Sequence, residues 1–442
     1  AALRMKGCRE GPDGRLRIPR DLIAEFVSIQ EKDRARAKQT GPRAEERRPI
    51  SPRPVMGCAF GPGPTRYFDY DSGQTVPVNK EISTQMLKFA NATPEIARVH
   101  PWFRQDASPA AGVENLVCGL KITRKLSGID AINPKEVKYL IEVGEVVTGR
   151  ARDCSYLAGS QCMTPPLILG WRAAQEMLER KKHGANHYYV ATMTMIGATA
   201  PVDLASATAL AAAEVLAGLV AAFVVNPEAS FRGTAASTSM DMATGNVAMN
   251  APETALLDVA VKELFDARFG GHVSAHVYYA PNAKVPGLQA VYENCFGAFA
   301  CATLLNTAPH YGGNGKLDVG GVGSPVQAML DIEILKSLAS LGSGIGLCDE
   351  PVPFDDLCEM ARSGRSFLTS DHTLRNFRRL WSPTLFLRRE LGQDWNGTEK
   401  AILDRCNAMW KENLGRYEPP QWSAEILRGL DDVLSRARRE LA

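Results

Sequence analysis

The sequence predicts an α/β protein, a TIM-type (β/α)8 barrel with an N-terminal extension and a C-terminal helical subdomain, and three observations carry that prediction. Between residues 188 and 310 the chain repeats a short β-rich run, a polar loop and an apolar helical stretch, the rhythm of strands and helices alternating around a parallel sheet. Its strand segments alternate polar and apolar side chains, which assigns one face to a lumen and the other to a helical layer. With 442 residues, 45% of them apolar, the chain is long enough for a barrel of about 250 residues plus structure at both ends. The boundaries that follow are 1–110 for the extension, 111–350 for the barrel and 351–442 for the helical region.

In chain order, Gly14-Arg-Leu-Arg-Ile-Pro19 reads as a short strand and the segment from Asp21 as a capped helix. Residues 31–64, rich in Arg, Glu, Pro and Gly, read as an extended surface excursion. Residues 65–78 form a hairpin pattern turning at Asp71-Ser-Gly73, followed by a helix over Lys80–Ala92. Strands are expected near 116–122, 152–160, 188–196, 229–237, 272–280, 303–310 and 344–348, one short of a closed eight. The clearest unit is 188–196, the loop Gly197-Ala-Thr-Ala-Pro-Val202 and an Ala/Leu/Val-rich helix ending at Asn226-Pro227. By length alone Leu204–Val225 could cross a bilayer. Its Ala content, Glu214 and its flanking strands predict a buried barrel helix instead. Another helix is expected near 326–341, and beyond 350 the pattern is helical with Trp381, Trp395, Trp410 and Trp422.

Charge and cysteine usage narrow the function. Lys and Arg (51) nearly balance Asp and Glu (49) without a basic stripe, which argues against dedicated nucleic-acid binding. Ten cysteines, no CxxC and no secretory signal predict free thiols in a reducing, cytoplasmic compartment. Asn396-Gly-Thr398 matches a glycosylation acceptor, with nothing else pointing to secretion. The first residue is Ala rather than Met, so residues upstream of Ala1 are expected.

The candidate chemistry comes from strand faces. In His272-Val-Ser-Ala-His-Val-Tyr-Tyr-Ala280 one face carries His272, Ser274, His276 and Tyr278; in Thr303-Leu-Leu-Asn-Thr-Ala-Pro-His310, Asn306 and His310 share a face. These polar faces predict a polar cavity at the carboxyl ends of the strands. His272 and His276 have the i, i+4 spacing of a helical zinc motif, but on a strand they lie about 13 Å apart, so no shared metal is expected. Two readings stand for His276, a cavity group and a hydrogen-bonded lumen histidine. Cys154 and Cys162 match no usual zinc spacing and read as buried thiols. The glycine-rich run from Gly312 to Pro325 lacks both common nucleotide-loop patterns and is expected to be a mobile loop over the cavity. Trp102, Phe103, Tyr156, Tyr278 and Tyr311 fall near loop ends, where aromatic faces either attract a quaternary ammonium or pack the core.

Several segments together resemble the trimethylamine methyltransferase family, the corrinoid-dependent amine methyltransferases. They are Arg15-Leu-Arg-Ile-Pro-Arg20, Gly197-Ala-Thr-Ala-Pro-Val202, Ala213-Glu-Val-Leu-Ala-Gly218 with Asn226-Pro227, and Met240-Asp-Met-Ala-Thr-Gly245 followed by Ala251-Pro-Glu253. The resemblance continues through Asn282-Ala-Lys284, Gln289-Ala-Val-Tyr-Glu293, Leu330-Asp-Ile-Glu-Ile334, and Phe367-Leu to His372-Thr-Leu-Arg375, in order over roughly 14–390. Family members usually carry Asp where this chain has Asn282 and Gly287, and the segment near 31–50 and the loop 312–325 diverge. Only standard residues are present, so the chain looks like the branch without pyrrolysine, which includes glycine betaine methyltransferase.

The resemblance implies transfer of a methyl group from a methylated, quaternary amine to the Co(I) of a corrinoid (cobalamin) carried on a cognate partner protein, with no cofactor tightly bound in this chain. A quaternary nitrogen leaves without a proton, so positioning and desolvation suffice. On that implication the catalytic candidates are His310, His276 and Glu333. Tyr278 and Tyr311 are placed near the cationic head and Asn306 toward a polar end, with Asp241 and Glu293 as charge-balancing carboxylates or, equally, as internal pairing groups. A homo-oligomer is expected, with no metal, nucleic acid or membrane partner. Two rival readings remain: a corrinoid-independent barrel lyase or hydrolase using His276 with a carboxylate, and a non-catalytic barrel subunit of a larger methyl-transfer complex.

Overall fold

The computed structural model describes residues 2–40, 63–102, 108–276, 280–305, 314–342, 352–386, 388 and 398–441. Its architecture is mixed α/β with parallel sheets. In the largest sheet His187–Thr192 lies between Met163–Thr164 and Ser230–Ala235, which in turn pairs with His272–Ala275, all in parallel. Tyr188 stands opposite Phe231 and Thr234 opposite Ser274. Parallel bridges Ile129–Leu157 and Val99–Leu126 extend this succession backward along the chain. Backbone bonds from Ala158 N to Ile129 O (3.0 Å) and Gln161 N to Tyr189 O (2.8 Å) join its parts. No closed ring of strands is traced among the described residues.

Strand alternation sets the two faces as expected. Tyr188, Val190, Phe231 and Val273 point into a core shared with Leu204–Val225, while Tyr189, Ala191, Thr234 and His276 turn the other way, into a cavity. The helix Leu204–Val225 starts where Asp203 accepts a hydrogen bond from Ser206 N (2.8 Å) and stops at Asn226 before Pro227. It is apolar around most of its circumference, and its C-terminal half is buried between the strands His187–Thr192 and Ser230–Ala235 and neighbouring helices. Its fully buried Glu214 accepts from Thr192 Oγ1 (2.5 Å), Thr194 Oγ1 (2.7 Å) and Leu167 N (3.1 Å), so the carboxylate ties the ends of two loops to the helix.

A second sheet joins the hairpin Arg66–Asp69/Gln74–Pro77, turning through Gly73 at φ +66°, to the short pair Lys316–Leu317/Val322–Gly323. This pair corrects the expectation of a mobile glycine loop for residues 314–325. Gly315 N donates to the buried Asp331 carboxylate (2.6 Å), and Gly323 faces the Trp102 ring so closely that a Cβ would stand 2.3 Å from it.

Two strand assignments change. Residues 111–120 are the helix Ala111–Leu120, not a strand near 116–122: it is buried on nearly every side, so its sequence shows no helical period to distinguish it from a buried strand. The 303–310 segment begins inside the helix Leu288–Leu305, and its remainder lies outside the described residues, as does 344–348. The expected excursion from residue 31 starts later, because the helix Arg20–Thr40 continues ten residues into it.

Helices occupy the C-terminal region, and two of them return to the first third of the chain. Trp410 on Thr398–Gly415 meets Phe89 edge-on, with ring centroids 6.1 Å apart. Leu430, Val433, Leu434 and Ala437 on Ala424–Leu441 join one core with Leu116, Leu120 and Leu140. Trp422 Nε1 donates to Leu120 O (2.8 Å), and Arg438 pairs with Glu114 (2.8 Å).

Candidate active site

The carboxyl ends of the parallel segments open on a cavity of about 470 Å³. Most of its wall is apolar or glycine, from Ile129, Ile132, Ala158, Ala191, Met193 and Ala236 among others. The polar contributors are His100, Asn115, Asp130, Ser160, Cys162, Tyr189, Thr234 and His276. Asn115 comes from the helix Ala111–Leu120, and several of the others follow from strand position. Asp130 comes one residue after the Ile129 bridge, Tyr189 and Thr234 sit on inward positions of neighbouring strands, and His276 is the first residue past His272–Ala275, its N–H bonded to Ala235 O (3.0 Å).

Asp130 is the one carboxylate on this wall among the described residues. It has its place because position 159 is glycine at φ +94°: a Cβ there would lie 1.6 Å from Asp130 Oδ1. Burial raises the Asp130 pKa, reinforced by the Glu176 carboxylate and opposed by Arg172 and Arg180. His100 moves the other way. Burial, and then the Lys316 cation, push it down to about 4, against support from the Gly128 backbone, so it is a neutral imidazole at neutral pH. Burial raises the Cys162 thiol, whose sulfur is 3.0 Å from Ser160 Oγ, and keeps it protonated.

Beneath the floor runs a buried ionic network. Arg180, fully buried, pairs through Nε with Glu176 (2.9 Å) and donates through Nη2 to Ala158 O (2.6 Å). Gln161 donates to Glu176 (2.8 Å) and its amide oxygen receives Tyr189 N (3.1 Å). The charges satisfy one another, and the network holds the 158–161 turn and the Tyr189 strand in fixed register.

The sequence-derived candidates separate. His276 lines the cavity. Glu333 lies on Pro325–Gly342, where its carboxylate accepts from Thr384 N (2.6 Å), Thr384 Oγ1 (2.6 Å) and Leu385 N (3.4 Å). Asp241 and Glu293 border a different, polar recess of about 700 Å³. There Asp241 closes a turn onto Ala243 N (2.9 Å) and Thr244 Oγ1 (2.8 Å), and Glu293 accepts Asn282 N (2.5 Å), Ala283 N (3.3 Å) and Gln289 Nε2 (2.8 Å). Tyr278, Tyr311, Asn306, His310 and Phe103 lie outside the described residues. Trp102 is buried against Tyr67, and Tyr156 packs half-buried against the same core. Of the two cysteines singled out, Cys162 reaches the cavity, and the eight cysteines among the described residues are free thiols. Asp130, His100 and Tyr189 belong to no motif; the flanking Gly128 and Gly159 were the available signal.

A parallel α/β sheet opening at its carboxyl ends on a mainly apolar cavity with a few convergent polar groups is the build of a small-molecule site. The chain belongs to the trimethylamine methyltransferase family, whose model matches residues 1–442. It is 29% identical over 279 residues to a trimethylamine methyltransferase of Methanosarcina mazei, covering 63% of this chain and 55% of that relative. Over 254 residues it is 30% identical to a glycine betaine methyltransferase of Desulfitobacterium hafniense, covering 57% and 52%. The chain thus spans about half the length of the curated relatives it matches.

Proposed function

We propose that this protein is a methyltransferase that takes a methyl group from a small methylated amine and delivers it to the Co(I) of a corrinoid held by a separate partner protein. The observation that carries the reading is the small cavity with its single described carboxylate, in a chain of a methyltransferase family. In this reading the parallel segments belong to a (β/α)8 barrel and the cavity is the upper part of its lumen. A cavity of about 470 Å³ suits an amine rather than a corrin macrocycle, which fits a cofactor presented from outside. When bound at the mouth, the corrinoid supplies the nucleophile.

The chain's own residues bind and orient the donor. The apolar wall strips water from the methyl groups, Tyr189 offers a ring face to the cationic head, and Asp130 supplies opposite charge. A neutral His100 and a protonated Cys162 add polar surface without adding charge. No proton has to be delivered to a quaternary leaving group, so this set is sufficient.

The test offers glycine betaine, carnitine, choline, proline betaine and trimethylamine in turn to the protein with a Co(I) corrinoid protein, followed by visible absorption. Corrinoid methylation by one of them is expected. No methylation by any, with an active corrinoid control, refutes the proposal. Because Asp130 and His276 share the cavity, acid–base chemistry is the second reading, and turnover without any corrinoid would support it.

A further inference from the structure

Resting on that reading of the cavity, we propose that the site selects methylammonium cations that carry no carboxylate, with Asp130 as their counter-ion, and discriminates against betaines. The argument is electrostatic and geometric. A trimethylammonium head has no N–H to donate, so a pocket holds it by apolar contact, ring faces and an opposite charge. Asp130 provides that charge on a largely apolar wall, and no hydrogen bond occupies its carboxylate among the described residues. Gly159 leaves the space in which the carboxylate sits.

A betaine brings its own carboxylate into the same cavity, where a volume of about 470 Å³ keeps the two anions close. Among the described residues, the cations that act on Asp130 are already committed. Arg180 serves Glu176 and Ala158 O, and Arg172 serves Ala131 O (3.0 Å) and Glu176 (3.7 Å). Lys316, on the His100 side, is buried and engaged within the protein. The cavity is therefore matched to one positive charge and penalises an added negative one.

Isothermal titration of the full chain tests this without a corrinoid, using choline, glycine betaine and 3,3-dimethylbutan-1-ol, the uncharged carbon isostere of choline. Choline is expected to bind at least tenfold more tightly than either of the others. In Asp130→Asn, choline affinity falls to that of the alcohol while the alcohol binds as before, which also shows that the pocket is intact. Glycine betaine binding as tightly as choline, a choline preference that survives Asp130→Asn, or no heat with any of the three overturns the inference. The wild-type comparison stands even if the variant does not fold. Methyl transfer from glycine betaine with choline inert would overturn this inference and leave the proposed function intact. Choline binding without corrinoid methylation by any amine would do the reverse.

Discussion

Acid sensitivity centred on His100 gives a quantitative check of the cavity. The folded pKa of about 4 lies below the unfolded value of 6.5, so as pH falls the unfolded chain takes up the proton first. Stability contributed by the neutral imidazole is complete above pH 6.5 and is lost progressively down to about pH 4. The gap corresponds to roughly 3 kcal/mol across that window. Asp130 works in the opposite sense, because its raised folded pKa makes its contribution fall as pH rises through that value. It is present in both proteins being compared and cancels. The perturbation is His100→Gln, a neutral side chain that still donates hydrogen bonds. Urea unfolding of wild type and variant at half-unit steps from pH 7.5 to 4 measures the difference. The wild-type curve should lose roughly 3 kcal/mol more than the variant between pH 6.5 and 4. Parallel curves would mean that His100 titrates normally and that the cavity wall is wet.

Three further outcomes follow from the same geometry. Gly159→Ala should displace the Asp130 carboxylate, lower unfolding free energy by about 2 kcal/mol through left-handed strain and overlap, and reduce choline affinity to that of Asp130→Asn, read by melting and titration. Glu214→Ala strands two buried threonine hydroxyls and the Leu167 amide, so a loss of about 3–5 kcal/mol is expected in urea unfolding. Glu333→Ala frees residues 384–385 at a cost of about 2–4 kcal/mol, while choline binding by the folded fraction stays within twofold of wild type; a selective loss of binding would return Glu333 to the site.

What the sequence revealed was local. The unit around Leu204–Val225 was legible because caps, loop and strand alternation all sit within some forty residues, and the inward face of His272–Ala275 followed from period two alone. The helix Ala111–Leu120 was not legible, because burial on nearly every side erases the periodic signal. Asp130 was missed because its significance depends on Gly159, twenty-nine positions away, and on a floor built by Arg180 and Glu176. The carboxylates inside the recognisable motifs invite a catalytic reading, yet Glu214, Glu293, Asp331 and Glu333 each receive backbone amides from loops. Those carboxylates anchor connections, whereas the one carboxylate on the cavity wall among the described residues, Asp130, belongs to none of the motifs.

The core that unites Leu116, Leu120 and Leu140 with Leu430, Val433 and Leu434 has a consequence for biosynthesis. The helix ending at Leu120 leaves the ribosome more than 300 residues before the one that covers it. At 5–20 residues per second, its apolar face waits roughly 15–60 s for a partner. A nascent chain stalled or truncated before residue 424 leaves Leu116, Leu120 and Leu140 without the Ala424–Leu441 helix that covers them. The synthesis of the eighteen-residue helix Ala424–Leu441 is therefore the event that closes this core, long after its first half has been made.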